Sequence, residues 1–468
     1  MKIFPSFILI MLLAALHPEN RIIAQSVIIT DTSLFKQAED ARLELFNGGV
    51  DDRRTNTLVS PLVKDGKCFF NVPHLADTIY FVVRGVKQAF PNALFLIFPK
   101  DTVEVLADQQ STRFLGSNSS VYECIYKIAK LGQTYLNEQR YPQRSLDDKR
   151  AALEYLSVCK QLYNDQQKII TAYSGKIPPR IYKHIIDQQL LSLQADACWM
   201  LNRKIIDQQT AAAYVRDSLP EPTFYDTGIK SISYPRYIFE MQSVKRTKIE
   251  GNPKLTFNEK YDFVYNNFKG EKRKQLMAYI LTGPGRSVTL NVKQAAFYKA
   301  NTDPVFRPVY EALTKVRITG TLARNFSLTG VDGKVYSLDS FKDKVIVIDF
   351  WFTGCGACVH MTPVLARAAK KLEGKQVVFL SVCVDESSDK WKKSLKGYLY
   401  SFDGAVKLYT QGEGMAHPII KDYNVVGYPT IVVLSKERSV LPLKNDPRAD
   451  QGQNLMDSIN AYLDGELI

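Results

Sequence analysis

Beyond its first residues this 468-residue chain has no uninterrupted apolar segment long enough to span a bilayer, which excludes a polytopic membrane protein. It also lacks a basic stripe interleaved with aromatics. Lys and Arg number 61 against 48 Asp and Glu, a net charge of +13, but they are spread along the chain, so nucleic acid is not an expected partner. The clusters Glu271-Lys272-Arg273-Lys274 and Lys390-Trp391-Lys392-Lys393 fall in helical patterns and read as solvated faces. There is no internal repeat and no low-complexity tract. No cysteine precedes Cys68, so a lipoprotein anchor near the N-terminus is not supported.

What is present is an average soluble composition, 45% hydrophobic and 23% charged, on a chain long enough for two to four domains. Residues 1–24 have the layout of a secretory signal: Lys2, an apolar run from Ile3 to Leu16, Pro18, and a cleavage point near Ala24. The expected location is the periplasm or another extracytoplasmic space, with membrane attachment if the signal is retained. The seven cysteines, at 68, 124, 159, 198, 355, 358 and 383, are too widely spaced for a small disulfide scaffold. The first four read as packed thiols.

Three patterns follow in order. Residues 27–112 alternate short β-type runs with turns ("ARLELFNGG", "KDGKCFFNV", "TIYFVVRG") and predict a small antiparallel sandwich, in which His74 beside Pro73 reads as a lone surface histidine. Residues 113–314 read as mainly helical. Leu153, Leu156, Cys159 and Leu162, then Ile185, Leu190, Leu193, Ala197 and Leu201, recur at helical spacing, and Pro178-Pro179 separates the two helices. Residues 220–314 are the least legible, with a turn at Gly283-Pro284-Gly285.

From Ile318 strands and helices alternate, as in an α/β sheet domain: a hairpin turning at Asp332-Gly333, strand Val345–Phe350, a helix after Cys358 and strand Val377–Val384. Helix Asp389–Tyr400, strand Ala405–Tyr409, a short helix near Met415–Tyr423, strand Thr430–Leu434 and a helix from Gln453 to Leu463 complete the series.

Between the first of those long strands and its helix lies "DFWFTGCGACVHMTP". Cys-x-x-Cys alone serves zinc, haem, structural and redox roles alike. Zinc needs a second ligand pair, for which only His360, Cys383 and His417 are nearby, an unconvincing set. Attachment of c-type haem wants histidine directly after the second cysteine, where Val359 stands instead. Redox chemistry suits the placement. Cys355 falls at the positive end of a helix, where unpaired N–H groups favour a thiolate, and Cys358 lies one turn inward. Neither metal nor haem nor another cofactor is expected.

Asp349-Phe350-Trp351, Cys355-Gly-Ala-Cys358, Pro363 and Gly427-Tyr428-Pro429-Thr430 together resemble a thioredoxin fold. The lead-in "DGKVYSLDSFKDK" and the segment "VVFLSVCVDESSDKWKKSL" narrow the resemblance to TlpA/ResA-like thiol-disulfide oxidoreductases over about Arg317 to Leu463. Upstream, "PLVKDGKCFF" and "FPKDTVEVLADQQSTRFLGSNSS" are similar to a β-rich domain of unknown function common in secreted members. The implied architecture is multidomain α+β: signal 1–24, β-rich domain 27–112, helical region 113–314 and thioredoxin-like domain 317–468.

The resemblance implies a redox-active Cys355/Cys358 pair, with Cys355 as nucleophile and Cys358 resolving the mixed disulfide. It implies Asp349 as the buried acid exchanging a proton with the inner cysteine, and Pro429 as the cis-proline that leaves the Tyr428 backbone to pair with substrate. Trp351 packs beside the motif and is grouped with the substrate-binding residues. The implied partners are disulfide-containing proteins and a membrane thiol electron donor. Several positions depart from the family: Met361 replaces a glutamate, Gly354 a tryptophan and Ala357 a proline. His360 reads as a surface residue and Cys383 as a buried thiol. Two competing readings are a peroxiredoxin-like thiol peroxidase, for which Thr353 stands two residues before Cys355, and a binding or docking protein with an accessory thioredoxin domain.

Overall fold

Alternation of buried and solvated side chains builds the first strands, and two sheets result. The computed structural model describes residues 26–466 apart from 36, 38–40, 47–55, 73–74, 76, 87–90, 92, 108–111, 138–147, 219–227, 283–288, 301–306, 308–310 and 312–316. The signal segment, His74 and the Gly283-Pro284-Gly285 turn lie outside the described residues. The strands are β1 Ser26–Asp31, β2 Arg42–Phe46, β3 Asn56–Val59, β4 Leu62–Lys64, β5 Lys67–Val72, β6 Ile79–Arg84, β7 Phe95–Ile97, β8 Thr102–Ala107 and β9 Thr112–Leu115. They form a five-stranded sheet ordered β4-β5-β1-β8-β9 and a four-stranded sheet ordered β3-β2-β6-β7.

The expected all-antiparallel pairing is corrected at one place. Strand β1 pairs antiparallel with β5 but parallel with β8, Val27 opposite Thr102. A parallel pair needs a long crossover, and the chain between β1 and β8 supplies it. Phe70, Val72, Val103 and Phe114 of one sheet and Leu43, Leu45, Phe81 and Phe95 of the other belong to a single apolar cluster.

The helices that follow are α1 Ser119–Asn137, α2 Lys149–Thr171, α3 Pro179–Leu201, α4 Gln208–Ser218 and α5 Ser233–Val244. Helix α2 buries Ala152, Leu156, Cys159, Leu162 and Ile170. Leu153, assigned to that stripe from sequence, is 41% exposed, because it sits about 100° round the helix from Ala152 and Ala152 sets the phase. Pro179 occupies the first turn of α3, where its missing N–H costs nothing. The cysteines of this part, Cys68, Cys124, Cys159 and Cys198, are buried.

Two compact units divide the chain, one running to Lys254 and the other from Leu255 to Ile468. The second opens with α6 Phe257–Asn267, α7 Gly270–Thr282 and α8 Val292–Ala300. It thus begins well before the boundary expected at 314–317. The physical tie is explicit: Thr289 N–H donates to Leu443 O at 3.0 Å, and Leu443 N–H donates to the Thr289 hydroxyl at 2.9 Å.

The remaining strands, β10 Leu328–Gly330, β11 Val335–Tyr336, β12 Val345–Trp351, β13 Val377–Cys383, β14 Val406–Tyr409 and β15 Thr430–Leu434, make one mixed sheet ordered β11-β10-β14-β13-β12-β15. Strand β12 is an interior strand, parallel to β13 and antiparallel to β15, and every one of its residues is buried. Its two faces divide cleanly. Ile346, Ile348 and Phe350 enter one cluster with Leu380, Val382 and Tyr423, whereas Val345 and Val347 enter another with Met361, Val364 and Leu365. Helices α9 Gly356–Lys371, α10 Ser388–Leu395, α11 Pro418–Asp422 and α12 Gln453–Leu463 complete the unit. Each large side chain so buried contributes about 1.5–3 kcal/mol, so the apolar face of α9 alone anchors the helix firmly beneath the residues it presents.

Helix α10 ends earlier than expected, at Leu395 rather than Tyr400. Gly397 follows, and Tyr398 takes a left-handed backbone, φ 53°, so the helix cannot continue. The residues released from it go on to help build the candidate site.

Candidate functional site

Strand β12 delivers the chain to the mouth of α9, and Cys355 is the N-cap of that helix. Its Sγ accepts the Cys358 N–H at 3.1 Å. A sulfur so placed faces the unpaired donors and positive end of the helix, which favour its anionic form when reduced. Cys355 and Cys358 are joined as a disulfide, Cα to Cα 5.3 Å. Cys355 is 6% exposed and Cys358 1%, so the first sulfur is the more accessible.

The turn before the pair is held from two sides. Gly354 has φ +105°, a backbone open to glycine and costly for other residues, and its N–H donates to the Tyr400 hydroxyl at 2.9 Å. Thr353 donates its N–H to Asp385 at 3.2 Å and its hydroxyl to the same carboxylate. Asp385 is buried and also accepts from Lys390 Nζ at 3.2 Å. The Thr353 hydroxyl is therefore committed away from Cys355, which removes the feature that suggested a peroxidase.

Asp349 lies on the β12 face that packs against α9 and is buried. Its Oδ1 accepts no hydrogen bond among the described residues. Burial in this apolar setting pushes its carboxyl up to about 8, against a smaller opposing pull from Arg448. A carboxyl that titrates near neutrality can take and return a proton.

Trp351 differs from expectation. It is fully buried, donates its indole N–H to Ser381 Oγ at 2.8 Å and stacks on Tyr400, so it offers no surface to a substrate. The exposed aromatic is the next residue, Phe352, 36% exposed and packed edge-on to Tyr428 with centroids 5.3 Å apart. The Tyr428–Pro429 peptide is cis, and Pro429 is buried. Trp351, Cys355, Cys358 and Cys383 share one cluster with Trp391 and Tyr409, against which Tyr428 packs.

Cys383 is fully buried. Its Sγ donates to Asp385 Oδ2 at 3.4 Å, and burial pushes the thiol well above its ordinary range, which opposes a role as a third redox sulfur. His360 is exposed on α9, and His417 caps α11 by accepting the Ile419 N–H at 3.2 Å. Among the described residues no three His, Cys, Asp or Glu side chains are grouped to hold a metal ion, and no helix is long and apolar enough to cross a membrane. Met361 is buried in the apolar cluster under α9.

Sequence reasoning missed Tyr400, Asp385 and Arg448. Asp446 holds the Arg448 guanidinium through Nε at 2.9 Å and Nη2 at 2.6 Å, and Nη1 donates to Ala357 O, between the two cysteines, at 3.4 Å. These three come from segments 30 to 93 positions after Cys355, and no local spacing connects them to it.

A family model described as thioredoxin-like matches residues 343–440. The thiol-disulfide oxidoreductase ResA of Bacillus thuringiensis subsp. konkukian is 29% identical over 144 residues, 31% of this chain and 76% of that protein. The thioredoxin-like protein YneN of Bacillus subtilis is 28% identical over 133 residues, 28% of this chain and 74% of that one. Among solved structures, the thioredoxin domain of a thiol-disulfide oxidoreductase from Bacteroides vulgatus is similar, with 24% identity, a TM-score of 0.27, and coverage of 31% of this chain and 96% of that one.

Proposed function

We propose that this chain, whose residues 343–440 match a thioredoxin-like family model and whose C-terminal region is similar to ResA and YneN, is an extracytoplasmic thiol-disulfide oxidoreductase that reduces disulfides of protein substrates through the Cys355/Cys358 dithiol. The Cys355 thiolate attacks one substrate sulfur; the Cys355–substrate bond forms, the substrate S–S bond breaks, and the departing sulfur takes up a proton. Cys358 then passes its proton to Asp349 and attacks Cys355 Sγ. The Cys355–Cys358 bond forms, the mixed disulfide breaks, and the second substrate sulfur leaves and is protonated. Two electrons pass from the dithiol to the substrate, and an external thiol donor must restore them. The resemblance points to a membrane thiol transporter for that step.

Phe352 and the Tyr428 backbone, with the cis Pro429 beneath, form the rim on which an extended substrate segment lies. The observations that carry this reading are the Cys355 sulfur capping α9 and a buried carboxyl, Asp349, with an unpartnered oxygen on the β12 face that packs against that helix.

Trapping tests it. Cys358→Ser should accumulate a mixed disulfide at Cys355 when offered an oxidised protein, detected by mass spectrometry, while Cys355→Ser should neither trap nor reduce. A Cys355→Ser protein that still reduces disulfides would sink the assignment. Export rests on residues 1–24, and N-terminal sequencing of the mature protein from fractionated cells tests it.

A further inference from the structure

The last residues of the loop between β15 and α12 are held along the active-site helix at two points. At one Arg448 donates to Ala357 O at 3.4 Å, and at the other Arg367 of α9 donates to the Gln451 side chain. Directly after Gln451, Gly452, φ +84°, lets the backbone approach so closely that a Cβ there would stand 3.2 Å from Val364 Cγ1. The Arg448 guanidinium is oriented as well as tethered. Asp446 caps its turn by accepting the Arg448 N–H at 2.9 Å and grips the guanidinium through both carboxylate oxygens.

This cation therefore sits, half-buried, at the first turn of α9, on the side of the sheet where Asp349 follows Val345 and Val347. Asp349 and Arg448 act on each other by charge: the arginine lowers the carboxyl's proton affinity and the carboxylate strengthens the arginine's. Its ladder neighbours Ser381 and Ile431 carry no charge, and the cluster on this side of the sheet is apolar, drawing Met361 and Leu365 from α9 and Leu455, Met456 and Ile459 from α12, while His360 on α9 is exposed; Arg448 is the charged group that acts on Asp349.

We propose that Arg448 is a positioning residue for the resolving step: gripped by Asp446 and bonded to the Ala357 carbonyl, it sets the protonation balance of Asp349 and thereby the pH range in which Cys358 can attack. The inference rests on the reading that Asp349 accepts the Cys358 proton. The sequence alone does not reveal it, because Arg448 is 99 positions from Asp349 and lies in an irregular loop. A guanidinium in a fixed fork is suited to the role, since it stays charged throughout and cannot itself consume the proton.

The test uses the full-length reduced protein and an aromatic disulfide reagent that releases one coloured thiolate when Cys355 attacks it and a second when Cys358 resolves the adduct. The rate of the second release is followed against pH. In Arg448→Ala the midpoint of that profile should move up by about one unit, with slower resolution at pH 7. Arg448→Lys should restore most of the shift, and Asp446→Asn should give an intermediate one. In an Asp349→Asn background Arg448→Ala should move nothing further. A midpoint unmoved in Arg448→Ala, with Asp349→Asn slowing resolution, overturns the role of Arg448 and leaves that of Asp349 standing. An equal shift in both backgrounds also overturns it, since the arginine would then act on Cys358 directly. Resolution unaffected by Asp349→Asn would instead overturn the underlying reading. Urea unfolding of each variant separates misfolding from these outcomes.

Discussion

The ring of Tyr400 lies flat on the indole of Trp351, centroids 5.0 Å apart and planes within 4°, while its hydroxyl takes the Gly354 N–H. One side chain thus covers the buried tryptophan and holds the turn that presents Cys355. Tyr400→Phe keeps the stack and loses the hydrogen bond, and should cost about 0.5–1.5 kcal/mol in urea unfolding. Tyr400→Ala loses the stack as well, adding about 0.5–1.5 kcal/mol beyond lost area. Equal stabilities for the two variants would show that the stack contributes nothing.

At Gly354 the backbone, and not the available space, is the constraint. Its φ is +105°, and a Cβ there would meet nothing within 4 Å. Gly354→Ala should therefore destabilise by about 1–3 kcal/mol without any steric clash. A melting temperature equal to that of the parent protein would refute this.

Asp349 ties stability to pH in a definite direction. Its folded value, about 8, lies above the ordinary 3.8, so between those values the folded state binds more protons than the unfolded one. Stability from this group is therefore full below about pH 4 and is lost as pH rises toward 8, with a slope of up to about 1.4 kcal/mol per pH unit. The oxidised Asp349→Asn variant should gain on the parent protein steadily from pH 5 to pH 8 in urea unfolding. A constant difference across that range would show that the carboxyl is ionised throughout.

Thiol reactivity should separate the cysteines sharply. Burial pushes the thiols of Cys124 and Cys198 up to about 12, and that of Cys383 higher still. Cys68 and Cys159 are likewise buried. Brief iodoacetamide treatment of the reduced native protein near pH 7 should label Cys355 first, Cys358 slowly, and the other five only after unfolding. Peptide mapping that finds Cys383 labelled alongside Cys355 would reopen the possibility of a third redox sulfur.

The cysteine pair, the strand before it and the helix after it are legible in the sequence because they are local. The apolar run Val345–Phe350 reads as a buried strand, and the Cys-x-x-Cys that follows it lies at the start of a helix. Where sequence reading erred, a neighbour elsewhere in the chain decided the outcome. The phase of α2 turned on which face met its partners, and Leu153 was left outside. The end of α10 turned on the left-handed Tyr398. The indole of Trp351 was covered by a ring 49 positions later.

The sequence by itself determined the candidate chemistry, since Cys355, Cys358, Asp349 and Pro429 lie in two short motifs that carry the resemblance to the thioredoxin fold. Tertiary structure alone decided what surrounds that chemistry. Tyr400, Asp385 and Arg448 reach it from three separate segments, and the potential around a buried carboxyl depends on which charges lie a few ångströms away, a quantity that proximity along the chain does not encode.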